Sequence, residues 1–269
     1  MNAQYSDIKH LVKTNGKIEL CIDGFTFSLD LSFRHERVYA AKLLLDVRHP
    51  QSDIDELIIK HTIRPGDRCL DAGANVGFTA HAMFLAGASE VVSLEPVPSI
   101  YSRLCKLHGT GFHPIRRGIG AKFEKRPLFL SASHNQGSTI SEAMVSVFPS
   151  VFGQKPEMIE VEITTVDDLV LQFGNFDVWK LDVEGAENSV LRGASATLEK
   201  NPPRIIFAEI YDEFRAEFLH VVAKTHPYSY RAFIDRKTYS LTLMDHDTPS
   251  SNKFHGTSPI YVFSLEALR

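Results

Sequence analysis

The sequence has few of the features that mark secreted or membrane proteins. It contains three cysteines, Cys21, Cys69 and Cys105, which are far apart and lie in apolar segments. This spacing argues against a disulfide framework and predicts reduced core thiols in a cytoplasmic protein. The polar N-terminus lacks the apolar centre of a signal peptide, and no apolar run reaches the length of a membrane span.

An excess of positive charge is also missing. The formal net charge is −4 at pH 7, whereas a nucleic-acid partner would need a basic surface to face its phosphates. The 12 histidines include no H-x-H or H-E-x-x-H spacing, so no zinc site is expected. Magnesium at Asp182, Glu184 and Glu209, or a cation at the turn 245–247, is a weaker interpretation than a metal-free site.

Strand and helix patterns alternate along most of the chain. Residues 1–50 predict an N-terminal cap, made of a β-hairpin around Asp23-Gly24 and a helix that begins with His35, Glu36 and Arg37. These three charged residues are either surface groups or groups that close over a site. Residues 51–269 predict one α/β domain with a mostly parallel sheet and helices on both faces. Residues 131–152 are rich in serine, asparagine, glutamine and glycine, and predict a mobile lid.

The loop after the first strand of this domain lacks a glycine that a dinucleotide site needs. A dinucleotide fingerprint, G-x-G-x-x-G, packs three glycines against a pyrophosphate. Here CLDAGANVGFT reads D-x-G-x-N-x-G, with Asp71, Gly73, Asn75 and Gly77 in the fixed positions. Asp71 would repel a phosphate but can face an amine, and the amides that open the next helix can hold a carboxylate. The loop therefore predicts a zwitterionic ligand.

Four predicted strands end on a carboxylate: Asp71, Glu95, Asp182 and Glu209. One such acid is most simply explained as a helix cap, but four at the ends of parallel strands favour a shared ligand site. Glu95 ends the second strand, where an acid can accept hydrogen bonds from two ribose hydroxyls. A ribose, a carboxylate and an amine together describe S-adenosylmethionine.

Lys180 interrupts an apolar strand that is expected to be buried on both faces. Alternation along the strand places Lys180 and Asp182 on the same face, with Glu184 just beyond the strand. Two interpretations stay open. Lys180 either forms a structural ion pair, or it orients and tunes a carboxylate at the site of chemistry. Glu187 is interpreted as a charge that compensates the dipole of the next helix.

Four segments of the chain resemble the FkbM-type S-adenosylmethionine-dependent methyltransferases: CLDAGANVGFT, SLEPVPSIYSRL, VEITTVDDLV and VWKLDVEGAENSVLRGA. The resemblance implies a seven-stranded, Rossmann-like class I methyltransferase fold with an antiparallel last strand. It also implies O-methylation of a hydroxyl on a sugar, polyketide or other small molecule. It leaves a homodimer open and requires neither nucleic acid nor membrane. The residues implied or expected to bind the cofactor are Asp71, Gly73, Ala74, Asn75, Gly77, Glu95, Pro96, Ile119 and Asp182.

The methyl acceptor needs a base beside the ends of the fourth and fifth strands, where it can remove the proton of a hydroxyl. Asp182 is the first candidate, Glu209 the second and Glu184 the third, with Lys180 as their supporting cation. Two alternatives belong to other classes of protein. One is an NAD-dependent oxidoreductase or epimerase with a degenerate loop, which the missing glycine disfavours. The other is a non-catalytic binding protein that retains the fold.

These expectations predict which ligand stabilises the protein. S-adenosylmethionine and its demethylated product should raise the thermal unfolding temperature, because a ligand that binds only the native state stabilises it. NAD should have no comparable effect. Calorimetry that detects NAD binding, and no binding of either S-adenosyl ligand, would contradict this interpretation.

Overall fold

The computed structural model describes residues 4–131, 135–153 and 155–268. Its helices are α1 (Tyr5–Ile8), α2 (Arg34–Leu45), α3 (Pro50–Thr62), α4 (Phe78–Leu85), α5 (Pro98–Leu104), α6 (Glu142–Val147), α7 (Pro149–Phe152), α8 (Val166–Phe173), α9 (Glu187–Arg192), α10 (Ser195–Lys200) and α11 (Asp212–Val222). Its strands are β1 (Lys17–Ile22), β2 (Phe25–Asp30), β3 (Arg68–Ala72), β4 (Glu90–Leu94), β5 (Phe112–Ile115), β6 (Gly118–Ile119), β7 (Glu124–Phe129), β8 (Met158–Thr164), β9 (Val178–Leu181), β10 (Ile205–Glu209), β11 (Tyr228–Ile234), β12 (Leu241–Asp245) and β13 (Ile260–Ser264).

The main sheet has the strand order β12-β11-β13-β10-β9-β3-β4-β5. Its strands β10, β9, β3, β4 and β5 are parallel to their neighbours. The last strand, β13, runs antiparallel between β10 and β11. The predicted class I methyltransferase-like α/β fold is confirmed, including its antiparallel last strand. The sheet has eight strands rather than seven, because β12 pairs with the outer edge of β11.

The strand order reverses at β3, which lies between β4 on one side and β9 on the other. In an open parallel sheet, the loops that leave such a reversal point separate and form a crevice. The neighbouring strands β10, β9, β3 and β4 all present their carboxyl ends to this crevice. The four strand-end carboxylates predicted from the sequence therefore share one rim of the sheet.

Alternation along the central strands fills a core on each face of the sheet. Residues that pair across four strands, Cys69, Val91, Val178 and Ile205, are fully buried on the face covered by α3 and α4. Their successors Leu70, Val92, Trp179 and Ile206 are fully buried on the other face. Each such side chain stabilises the fold by roughly 1.5–3 kcal/mol relative to exposure. This burial holds the strand ends, and hence the crevice, in fixed register.

The N-terminal hairpin forms as predicted, with Asp23 and Gly24 both at positive φ in its turn. Phe27 and Leu29 of β2 are fully buried and belong to the core cluster that α3 and α4 line. The division of the chain into a cap and a larger domain stays a prediction. None of the helices described for this chain combines the length and apolar composition that crossing a bilayer requires.

Two segments differ in local structure from a simple sequence pattern. The segment 131–152, predicted as a mobile lid, contains α6 and α7 in its described part, and these helices bury Met144 and Phe152; residues 132–134 lie outside the described residues. The lid itself stays a prediction. The apolar stripe over residues 186–200 predicts one helix, which is wrong. Two helices meet there at Gly193, where a β-carbon would lie 2.0 Å from the carbonyl oxygen of Gly120.

The sequence patterns also missed some elements and misplaced two thiols. Strand β7, helix α11 and the strands β11 and β12 were not predicted. Cys21 and Cys105 are exposed, and among the three cysteines only Cys69 is buried. Cys21 lies on a face of the two-stranded hairpin that the described residues leave exposed, so an apolar neighbourhood in sequence did not mean burial there.

Candidate functional site

A cleft opens at the carboxyl ends of β3, β4 and β9. The space between protein atoms there is about 680 Å³, which includes open solvent at its mouth. Polar residues line one part of it and aliphatic residues the rest. Its walls are Gly73, Asn75, Leu94, Glu95, Pro96, Val97, Ile100, Arg117, Gly118, Ile119, Leu128, Asn135, Gln136, Ser138, Ile140, Asp182, Val183 and Glu184. Of the predicted cofactor residues, Gly73, Asn75, Glu95, Pro96, Ile119 and Asp182 are therefore on the cleft.

The loop from β3 to α4 is shaped by residues at positive φ. Gly73, Asn75 and Gly77 have φ values of 83°, 50° and 94°. A β-carbon on Gly73 would lie 1.9 Å from the carbonyl oxygen of Asp182. Only glycine can therefore let this loop approach the end of β9 so closely, and the approach leaves open space above it for a ligand.

Glu95 lies at the base of the cleft and is 5% exposed. Its carboxylate accepts hydrogen bonds from the backbone N–H of Val97 at 2.8 Å and of Asn75 at 3.1 Å. Burial raises the pKa of Glu95 to about 7, although these two hydrogen bonds act in the opposite direction. Each oxygen keeps an acceptor site for a ligand. The geometry is thus compatible with the predicted role in binding ribose hydroxyls.

Lys180 lies beneath the cleft, with its ammonium group between two strands. Its Nζ is 3.6 Å from Asp71 Oδ1 and 3.3 Å from Asp182 Oδ2. The same nitrogen donates to the carbonyl oxygen of Gly73 at 2.9 Å. The two sequence-based interpretations of Lys180 are therefore not exclusive, because one group joins the buried carboxylate, the glycine loop and the cleft carboxylate.

Asp71 is fully buried and does not line the cleft. Its Oδ2 accepts a hydrogen bond from Ser93 at 3.3 Å. Burial raises the pKa of Asp71, and the nearby Lys180 opposes that rise. Its position places it below the loop rather than against a ligand. Ala74 and Gly77 are likewise buried or structural positions of the loop and do not line the cleft.

Acidic groups gather where the end of β9 meets β10. Asp182 and Glu184 line the cleft, whereas Glu209 lies behind its wall. Burial and the nearby Asp182 raise the pKa of Glu209 to about 8. Burial, Asp182 and Glu209 likewise raise the pKa of Glu184 well above its usual range. Glu184 adopts a φ of 54°, and its carbonyl oxygen accepts a hydrogen bond from Thr139 Oγ1 at 2.6 Å. This end of the cleft favours protonated carboxyl groups, which is the property of a site that exchanges protons.

Two acids near this end were missed or misread from the sequence. Glu187 is 1% exposed, and its Oε1 accepts from the backbone N–H of Val183 at 3.0 Å and of Gly185 at 3.3 Å. It therefore clamps the loop that carries Glu184, rather than only compensating a helix dipole. Asp55 of α3 was not singled out; burial, together with Asp182, raises its pKa to about 7, although Lys180 opposes the rise. No pattern within α3 distinguishes Asp55 from other helix acids.

Cations have one compact candidate site among the described residues. The side chains of Asp245, His246 and Asp247 approach one another, and both acids are exposed. His246 Nδ1 also lies 2.8 Å from the hydroxyl of Ser229. In the described part of the chain, no such close group of ligand atoms is formed by Asp182, Glu184 and Glu209.

The residues on the cleft fit S-adenosylmethionine. Glu95 offers acceptors for a ribose, and aliphatic residues such as Ile100, Ile119 and Leu128 offer flat apolar contact for a base. The Oδ1 atom of Asn135 is buried and accepts no hydrogen bond from the described residues. An acceptor without a partner on a cleft wall is suited to the polar hydrogens of a ligand.

Comparisons with known proteins found a matching family and similar chains. The profile of the methyltransferase FkbM domain matches residues 71–239. "Methyltransferase 1" of Beauveria bassiana (strain ARSEF 2860) is 27% identical over 171 residues, which cover 57% of this chain and 69% of that protein.

Two solved structures are also similar. The methyltransferase FkbM of Methylobacillus flagellatus KT aligns with a TM-score of 0.46 at 14% identity, over 87% of this chain and 52% of that one. The chain thus spans about half the length of that structure. An S-adenosylmethionine-dependent methyltransferase of Agrobacterium tumefaciens aligns with a TM-score of 0.44 at 11% identity, over 93% of this chain and 70% of that one.

The environment of Glu95 predicts how cofactor affinity depends on pH. Ribose hydroxyls donate to the carboxylate, and the pKa of Glu95 is about 7, so affinity for S-adenosylhomocysteine should fall as the pH drops from 8 to 6. At pH 8, Glu95→Gln should bind roughly tenfold or more weakly, because it loses a charged acceptor. Isothermal titration calorimetry measures both effects.

Glu160→Gln is the control, since this carboxylate is exposed and pairs with Lys125 away from the cleft. It should bind the ligand as the unmodified protein does. A Glu95→Gln protein with unchanged affinity at pH 8 would show that Glu95 is only a cap for the loop at Val97.

Proposed function

Because the chain belongs to the methyltransferase FkbM family, and is therefore an S-adenosylmethionine-dependent methyltransferase, we propose that it methylates a hydroxyl oxygen of a small molecule. S-adenosylmethionine, rather than NAD, is its cofactor. The observation that carries the proposal is the group of carboxyls with raised pKa values beside the cleft. A hydroxyl must lose its proton as it is methylated, and these carboxyls supply acceptors for that proton.

The cleft divides into a part for the cofactor and a part for the acceptor. Glu95 would hold the ribose of the cofactor, Gly73 and Asn75 would surround its amino-acid end, and Ile119 would lie by its base. When bound, the cofactor supplies an already activated methyl group. The remaining task of the protein is to align the acceptor oxygen and remove its proton.

Asp182 and Glu209 are the candidates for the base, and their surroundings differ. Asp182 lies 3.3 Å from Lys180 Nζ and is held in an ion pair. Burial and the negative neighbours Asp182 and Asp55 raise the pKa of Glu209 to about 8. We therefore assign Glu209 as the base and Asp182 as the group that orients the cofactor and acceptor. Glu184 is the third candidate.

This assignment reverses the order expected from the sequence. Position alone favoured Asp182, since it ends the fourth strand beside the reacting centre. The ion pair of Asp182 with Lys180, which the sequence left as one of two interpretations of this lysine, changes that preference. The experiment therefore substitutes both Asp182 and Glu209.

Isosteric amides distinguish the two roles once an acceptor has been found by screening hydroxylated sugars and polyketides for formation of S-adenosylhomocysteine. Glu209→Gln should lose 10²-fold or more of the turnover, a typical contribution of a positioned base, and should keep cofactor affinity within a few-fold. Turnover of the unmodified enzyme should rise with pH toward about 8, where Glu209 becomes ionised.

Glu217→Gln, at an exposed carboxylate paired with Arg192, is the matched control and should keep full turnover. If Glu209→Gln is fully active and Asp182→Asn loses turnover without losing cofactor, Asp182 is the base. If both amides keep full turnover, neither carboxylate removes the proton, and the proposed chemistry is wrong.

A further inference from the structure

Glu36 of α2 is fully buried, although it belongs to the N-terminal segment rather than to the cleft. Its carboxylate accepts from the guanidinium of Arg103 at 2.7 and 2.8 Å and from the backbone N–H of Asp30 at 2.5 Å. A third donor is the side-chain amide of Asn135, at 2.7 Å from Oε1. Burying a carboxylate is costly unless it is paired, and here one of its partners is a cleft residue.

Asn135 also contacts the loop between β3 and α4, which is assigned to the cofactor. Its carbonyl oxygen accepts a hydrogen bond from the side-chain amide of Asn75 at 3.0 Å. Asn75 in turn holds a φ of 50° and donates its backbone N–H to Glu95. Hydrogen bonds thus run without a break from Glu36 through Asn135 and Asn75 to the carboxylate of Glu95.

The chain that follows Asn135 crosses the cleft to the opposite side. Gln136, Ser138 and Ile140 line the cleft. Thr139, 1% exposed, donates its hydroxyl to the carbonyl oxygen of Glu184. This strap, residues 135–140, is therefore fixed at one end to the cofactor loop and at the other to the acidic end of the cleft.

We propose that Glu36 is a positioning residue for cofactor binding, which acts through Asn135 to hold Asn75 and the strap against the bound cofactor. The proposal rests on the assignment of the cleft as the cofactor site. Glu36 does not line the cleft and reaches it through the side chain of Asn135. Its charged carboxylate fixes the amide of Asn135. The Oδ1 atom of Asn135 then has no partner among the described residues and is available to a ligand.

Substitutions at Asn135 test the proposal with the Glu36–Arg103 ion pair intact. Asn135→Ala should weaken binding of S-adenosylhomocysteine roughly tenfold, because a hydrogen bond to a charged group is lost. Asn135→Asp should weaken it further, since the new carboxylate faces Glu36. If Asn135 instead served only as a direct contact to the amine of the ligand, Asn135→Asp would bind as tightly as the unmodified protein or more tightly.

Glu36→Gln is the second test. Calorimetry on the folded variant measures its affinity for S-adenosylhomocysteine. It should weaken binding several-fold, and the double variant Glu36→Gln/Asn135→Ala should bind no more weakly than Asn135→Ala alone, because both changes break one path. In steady-state assays the KM for S-adenosylmethionine should rise in Asn135→Ala, while kcat and the KM for the acceptor change little.

The control is Glu19→Gln. Glu19 also joins the N-terminal hairpin to the region of α5, through an exposed ion pair with Lys106, but it contacts no cleft residue. The Glu19→Gln variant should bind S-adenosylhomocysteine as tightly as the unmodified protein.

Failure of this proposal differs from failure of the proposed function. An unmodified protein that does not bind S-adenosylhomocysteine overturns the assignment of the cleft. An unmodified protein that binds it, with either Asn135→Asp or Glu36→Gln equal to it in affinity, overturns the positioning role alone. Strictly additive losses in the double variant also overturn it.

Discussion

The ammonium group of Lys180 is the interaction on which the site depends. It is surrounded by Asp71, Asp182 and the carbonyl oxygen of Gly73, at the point where β3 and β9 meet. Desolvation alone would favour the neutral amine, yet the adjacent carboxylates raise the pKa of Lys180 well above its usual value. A buried cation of this kind adds little stability compared with an apolar side chain, but removing one partner leaves an unpaired charge. The main effect of Lys180 is therefore to hold its neighbours in position.

The same cation separates two kinds of carboxylate along one rim. Asp71 and Asp182 lie within ion-pair distance of Lys180. Glu209 and Glu184 lie farther along the rim, where burial and like charges dominate and raise their pKa values. Four acids at neighbouring strand ends would otherwise repel one another. Lys180 thus lets one group of acids hold the floor of the cofactor site while the other stays basic enough to exchange a proton.

Much of this arrangement could be predicted from the sequence because it follows from strand periodicity. Alternation placed Lys180 and Asp182 on one face, and strand ends placed Glu95 and Glu209 on one rim. Contacts between distant segments could not be predicted in this way. Asn135 and Glu36 are 99 positions apart, and nothing in the pattern of α2 shows that its single acid is buried. The last third of the chain was hardest, since α11, β11 and β12 gain their stability from packing on the sheet rather than from a strong local pattern.

The most direct test of the central role of Lys180 removes the charge without leaving a buried ion. The double variant Lys180→Met/Asp71→Asn keeps the approximate volume of both side chains. The charge it leaves unpaired is that of Asp182, whose side chain is 35% exposed and can be solvated, so the variant should fold. Its affinity for S-adenosylhomocysteine, measured by isothermal titration calorimetry, should be at least roughly tenfold weaker, because the Gly73 loop and Asp182 lose their shared donor. A folded double variant that binds the ligand as tightly as the unmodified protein would contradict the account.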